Sequence, residues 1–368
     1  MKIKRLDIQG LYGIYDYTIN FNSDITIITG FNGLGKTSVL RLINSIMDGN
    51  MYSINGLKDI FFNKLRLTME DGSYVNIDNI IENLPDYMVD KSHTVKHEYV
   101  TSYVDCDGNT TDTSYMSPYS TFNAWHINDL RRDADSFRDC RDGIKSKIML
   151  IKDKYNTTLS SISTINTSNS LLSVTEDKFS STQEDYKRII YNLQSVGVLK
   201  DTLIDNELIY DNGSIANIIA YNNWLSVLKA YSKVEEEVKL LLLYKKLLTE
   251  LRFVNKSVVL DSKNGLRFKS DDSEHTIIEI ESLSSGEQNQ VVMLYELIFN
   301  KESDYLITID EPENSLHVAW QMLFYNTVEK LVKLKKYQVV IATHSPNIIN
   351  SRWDKTVDLY EQYSKRNH

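Results

Sequence analysis

Cysteine is nearly missing from this chain of 368 residues: only Cys106 and Cys140 occur. Their separation matches no paired metal-ligand spacing, so neither a disulfide framework nor a zinc module underlies the fold, and both read as reduced thiols. Proline is scarce too, with four in the chain and none between Pro118 and Pro312. That interval suits helices in its second half. Long apolar runs are lacking. The longest clump, Val238 to Leu243, contains Lys239 and falls far short of the roughly 18 residues a membrane helix needs. The start, Met1-Lys2-Ile3-Lys4-Arg5-Leu6-Asp7, has no apolar stretch of the secretory kind, so the chain reads as cytoplasmic. An excess of positive charge is also absent. Lys and Arg number 41 against 50 Asp and Glu, a net charge of -9, which argues against a surface devoted to gripping nucleic acid and leaves room for a local basic groove. What remains is a globular composition, 42% hydrophobic and 25% charged, of a length for one large domain or two to three smaller ones.

The hydrophobic pattern divides the chain into three stretches, 1–84, 85–255 and 256–368. In the first, Ile3 to Ile8, Tyr17 to Phe21 and Ile25 to Thr29 read as strands, the last apolar enough for a buried central position. Thr37 to Met47 has the helical period, and residues 64–77 form a hairpin about Glu70-Asp71-Gly72-Ser73. From 85 to about 175 polar residues dominate without a sustained period, which predicts a loop-rich insertion. Helical patterns follow over Thr175–Ser195 and Ser214–Val254. The second could be one helix about 60 Å long, protruding as a short arm, or a broken pair packed within the molecule. Short strands at 258–260, 266–268 and 276–280 precede a helix from Gly286 to Phe299. A strand over Tyr305–Ile309, a helix over Leu316–Leu334 and a strand over Gln338–Ala342 complete the pattern.

Four motifs carry chemistry. Gly30-Phe31-Asn32-Gly33-Leu34-Gly35-Lys36-Thr37-Ser38 lies between a strand and a helix, as a phosphate-binding loop must. Its glycines let backbone N–H groups crowd around phosphates, with Gly30, Asn32, Gly33, Gly35 and Ser38 in the cradle and the helix dipole behind it. Lys36 reaches the β- and γ-phosphates, and Thr37 offers a hydroxyl to Mg²⁺. Asp310 and Glu311 end an apolar strand. There Asp310 orients Mg²⁺, and Glu311 polarises the attacking water as general base. His344 ends the next strand, where it can hydrogen-bond a γ-phosphate. Leu283-Ser284-Ser285-Gly286-Glu287-Gln288 opens a helix with no phosphate loop of its own. Ser284, Ser285 and Gly286 are candidates to bind an anion there, although the same run also reads as an ordinary helix cap. Ser315 is a candidate cap for the helix after Pro312. Arg131 and Arg132 are either a polar element near the site or part of a mixed-charge surface helix. Asp105-Cys106-Asp107-Gly108 reads as a turn rather than a calcium loop.

In this order the motifs resemble the RecF/OLD-like branch of ABC ATPases, over roughly residues 1–80 and 255–358. Val318-Ala319-Trp320-Gln321 and Ser351-Arg352-Trp353-Asp354 are most similar to stand-alone ATPase subunits of anti-phage defence systems of the PARIS kind. The resemblance implies an α/β P-loop head with a mixed central sheet, an N-terminal antiparallel β subdomain and a helical insertion or lobe. It implies ATP and Mg²⁺ as cofactors, held by Gly30, Gly35, Lys36, Thr37 and Asp310, with slow hydrolysis by Glu311. It also implies contacts from Ser284 and Gly286 across a homodimer or higher assembly of heads. OLD proteins carry a Toprim nuclease after the switch histidine. This chain has about 24 residues there, so the expected effector is a separate protein, a Toprim-type or other nuclease. The alternative is a RecF/Rad50-like DNA-repair ATPase that binds DNA directly. No segment suggests a membrane partner, and no glutamine is recognisable as the nucleotide-sensing one.

Overall fold

A computed structural model of the chain describes residues 2–47, 60–79, 99–112, 124–127, 134–163, 174–200, 208–211, 214–251, 253–300 and 306–366. It separates into two compact units, residues 1–130 with 301–368, and residues 131–300. These divisions differ from the sequence boundaries at 84/85 and 255/256. Three strands beyond residue 84 pair into the sheets of the first unit, whereas the strands just after 255 belong with the helices of the second.

The first unit holds two sheets. One is antiparallel, in the order β2(Tyr15–Asn20)-β1(Ile3–Leu11)-β4(Lys64–Met69)-β5(Tyr74–Asn79)-β6(Tyr99–Val104)-β7(Thr110–Asp112). The other runs β14(Thr356–Asp358)-β3(Ile25–Thr29)-β13(Gln338–Ala342)-β12(Leu306–Asp310)-β8(Ala124–Ile127), and every pairing in it is parallel. The mixed character expected of one central sheet is thus shared between two. Burial follows pattern. β1 buries Ile3, Leu6, Ile8 and Leu11 on one face, as a half-covered strand does, while β13 is buried at every residue, as a parallel central strand is. Helix α1(Lys36–Met47) buries Val39, Leu40, Leu42, Ile43 and Ile46 in one core with Ile8, Leu65, Ile28 and Val340. The two sheets are also stitched by buried Gln338. Its amide donates to the carbonyls of Ile3 and Asn22, at 2.8 Å each, and its oxygen accepts from the Ile3 N–H.

The second unit contains α2(Ala134–Ser163), α3(Glu176–Ser195), α4(Ile215–Tyr231), α5(Glu235–Glu250), a small sheet β11(Ile277–Ile278)-β10(Gly265–Ser270)-β9(Lys256–Asp261), and α6(Ser285–Tyr295). The expectation of loops throughout 85–175 is corrected here, because α2 is a 30-residue helix. Its stripe is real but diluted: Phe137, Cys140, Ile144, Ile148, Ile151, Tyr155 and Ile162 are buried at helical spacing among polar neighbours. The 214–254 pattern is the broken pair, α4 and α5 joined through Ser232-Lys233-Val234. Asp105 makes the expected turn, its carboxylate accepting from the N–H groups of Asp107 and Asn109. Arg131 and Arg132 lie outside the described residues. Among those described, no helix is long and apolar enough to cross a membrane.

Candidate active site

Three neighbouring parallel strands of the first unit, β3, β13 and β12, release their chain at the same edge of the sheet. The carboxyl ends of such strands are where open α/β sheets bind ligands. β3 leads into the glycine loop and α1, β13 into His344, and β12 into Asp310 and Glu311. The loop requires its glycines. Gly35 has φ +82°, and a Cβ there would stand 2.9 Å from Leu11 Cδ2; Gly33 has φ +86° and faces open space. A cavity of about 570 Å³ opens above the loop, lined by Tyr12, Asn32, Gly33, Gly35, Lys36, Thr37, Ser38, Glu311, Asn314 and His344. Tyr12 leans on α1 through its hydroxyl, 2.7 Å from Ser38 Oγ.

The lysine is folded back over its own loop. Its Nζ donates to the carbonyls of Gly30 (3.0 Å) and Phe31 (3.2 Å) and lies 3.3 Å from His344 Nδ1. Burial lowers its pKa from the ordinary lysine value, against the pull of Glu311, Asp310, Glu313 and Asp358. With the ammonium as donor, Nδ1 of His344 is the acceptor and Nε2 carries the proton. Nε2 stands 3.2 Å from Glu311 Oε1. The other carboxylate oxygen of Glu311 accepts from Asn314 Nδ2 at 2.8 Å. Glu311 itself sits in the left-handed region (φ 42°), a strained conformation that its N–H helps hold by donating to Ala342 O.

Asp310 is half-buried, and its Oδ1 has no hydrogen-bond partner among the described residues. Burial raises its pKa; the Thr37 hydroxyl opposes the shift, while Glu311 and Glu313 add to it. A desolvated carboxylate oxygen beside a threonine hydroxyl is a donor set that fits hydrated Mg²⁺. No cluster of three His, Cys, Asp or Glu side chains converges among the described residues, so such an ion would lean on phosphate oxygens and water, as Mg²⁺ does.

Gly30, Asn32, Gly33, Gly35, Lys36, Thr37, Ser38, Asp310, Glu311 and His344 therefore come together in one unit, while Ser284, Ser285 and Gly286 open α6 in the other. Ser284 is the helix cap. Its Oγ accepts from Glu287 N–H (3.4 Å) and donates to Glu287 Oε2 (3.0 Å), and its own N–H donates to the same carboxylate oxygen (2.9 Å). Lys256 Nζ occupies the remaining oxygen at 2.8 Å. Four residues of the first unit's site escaped the sequence reading. Tyr12, Glu313, Asn314 and Gln321 follow no period, and only the dense Asp-Glu-Pro-Glu-Asn run hinted at two of them. Ser315 is not the cap expected of it: Pro312–Ser315 forms a 3₁₀ turn, and α7(Val318–Lys335) starts later, capped by His317, whose ring accepts from Ala319 N–H.

A strand, a glycine loop closed by lysine on a helix, and acids on a nearby parallel strand define a P-loop nucleotide-binding protein. A family model described as AAA ATPase domain matches residues 1–349, and the chain belongs to that family. Its family thus makes it an ATP-binding protein with an ATPase domain. Solved structures to which it is similar include an Smc head domain with an extended coiled coil bound to the C-terminal domain of ScpA, from Pyrococcus furiosus. That match has 12% identity and a TM-score of 0.42, and covers 97% of this chain and 93% of that one. Another is the SMC head domain from Thermotoga maritima, at 14% identity and TM-score 0.37, covering 95% of this chain and 91% of that one. A search of curated proteins finds no match.

Proposed function

We propose that this protein is an ABC-type ATPase that dimerises around two ATP molecules and regulates a separate effector, a nuclease, in anti-phage defence. The observation that carries the ATPase half is the convergence of Lys36, Thr37, Glu311 and His344 on one 570 Å³ cavity above the glycine loop, with Asp310 hydrogen-bonded to Thr37 beside it. In this reading ATP lies in the cavity with its phosphates against the backbone N–H groups of the loop. Lys36 leaves the carbonyls of Gly30 and Phe31 for the β- and γ-phosphates. Thr37 and Asp310 would hold Mg²⁺, which would supply charge neutralisation on the phosphates. Glu311, already oriented by Asn314, accepts a proton from the attacking water, and His344 turns its ring toward the γ-phosphate. Ser284, Ser285 and Gly286 reach the γ-phosphate of a second copy. The regulatory half and the RecF/OLD-like placement are supported by the resemblance of the motifs, including the segments at 318–321 and 351–354.

Release of phosphate from ATP, with and without Mg²⁺, tests the reading. Lys36→Ala should remove ATP binding. Glu311→Gln should keep binding and lower turnover by about 100-fold or more, the scale of a lost general base. Normal turnover in either variant contradicts the assignment.

A further inference from the structure

One carboxylate beside the site has no part in the scheme above. Glu313 stands in the 3₁₀ turn just after Glu311, and its Oε1 accepts two hydrogen bonds from the loop that carries the histidine: Thr343 Oγ1 at 2.8 Å and the His344 backbone N–H at 2.7 Å. Thr343 is fully buried, its N–H donates to Ile28 O, and its hydroxyl accepts from Ser345 N–H at 3.0 Å. The bond to Glu313 therefore ties a turn on β12 to a loop on β13 at its most constrained point. A second tie runs parallel to it. Gln321 donates to the carbonyls of Glu313 (3.3 Å) and Leu316 (3.1 Å), while its oxygen accepts from Ser345 Oγ at 2.8 Å. The imidazole of His344 is partly exposed and, among the described residues, is held by Lys36 on one side and Glu311 on the other. Lys36 must leave when phosphates enter, so the ring would then lose one of its two anchors. What remains to fix its direction is the contact with Glu311 and the peptide from which it springs, and Glu313 holds that peptide.

We propose that Glu313 is a positioning residue for the hydrolytic step: its carboxylate clamps the Thr343–His344 peptide so that the imidazole stays between the phosphate cavity and Glu311 when Lys36 swings to the nucleotide. It lies outside the lining of the cavity and acts through His344. The same clamp carries motion, because a shift of the Pro312–Ser315 turn draws His344 with it.

The kinetic part of the test rests on the ATPase reading, and the spectroscopic part does not. In Glu313→Ala, turnover should fall by roughly 30-fold, within the range that small misplacements of reacting groups cost, with ATP affinity within about threefold of the parent. Glu313→Gln keeps an oxygen that can accept both bonds and should recover most of the rate. Thr343→Val removes one donor and should give a smaller loss of the same sign. Combining Glu313→Ala with His344→Ala should cost no more than His344→Ala alone. In nucleotide-free protein labelled with ¹⁵N-histidine, the His344 ring signals should change in Glu313→Ala and stay in Glu313→Gln. Multiplying losses in the double variant, or His344 signals indifferent to Glu313→Ala, would overturn the proposal. A parent protein that hydrolyses no ATP sinks the ATPase reading, and the ring signals still decide the role of Glu313.

Discussion

Two helices of this protein begin in ways that suit an anion, and their first turns are built oppositely. α1 follows glycines in the left-handed region, has no acid in its first turn and opens onto a cavity. α6 begins with a closed capping box, in which Ser284 and Glu287 satisfy one another and Lys256 neutralises the acid. The first start opens onto the cavity lined by Lys36, Thr37 and Ser38, where a ligand would meet it. The second is content without one. For Ser284 to meet a phosphate, its hydroxyl must let go of Glu287, or the exposed Ser285 and half-buried Gly286 must serve instead. A helix start that is already capped gains from an anion only when one is delivered in a fixed place, which is what a second copy with a loaded cavity would do.

The sharpest way to break the contrast is to block the open start. Gly35→Ala places a methyl against Leu11 at a φ that costs about 1–3 kcal/mol. ATP affinity, read by titration calorimetry, should drop about tenfold or more, and an unchanged affinity would show that the loop is not the cradle. Ser284→Ala tests the closed start. Loss of the cap should lower stability by about 1 kcal/mol. Under the dimer reading it should also cut ATP turnover several-fold while leaving ATP binding to the single chain intact. A stability loss alone would make Ser284 a cap and nothing more. The smallest effect concerns Glu287. Burial disfavours its charge, yet the bonds from Lys256 and Ser284 hold its carboxyl below the ordinary glutamate range. A pKa depressed by folding gives stability that is present above the unfolded value, about 4.3, and is lost as pH falls through the folded one. Lys256→Met should therefore cost about 1 kcal/mol at pH 7 in urea melts, and the gap from the parent should close as pH falls below the ordinary glutamate range. A gap that stays constant with pH would place the effect in packing rather than charge.

The phosphate loop and the Asp-Glu strand end were legible because each joins a short motif to a strand or helix of clear period. The buried β3 and the stripe of α1 announced themselves in the same way. α2 was not legible: its seven buried positions are separated by Arg, Asp, Lys and Asn, so local composition resembles a loop while the spacing is helical. β6 and β7 were missed because they are short strands at and next to the end of the antiparallel sheet, where β6 buries Thr101 and Val104 without an alternating apolar pattern. Glu313 and Gln321 escaped for another reason. Their partners are the backbone and hydroxyls of a loop more than 20 residues away, and no one-dimensional pattern encodes such a bond.

The proposed function turns most on ATP-dependent pairing of two copies. Light scattering on Glu311→Gln protein, with Mg²⁺ and with or without ATP, tests it directly. The predicted result is twice the chain mass with ATP and the single mass without it, with the ATP-dependent doubling lost on adding Ser284→Arg. A single chain that binds ATP, stays at its single mass at every concentration, and in its Glu311 form turns over at a rate independent of concentration would contradict it.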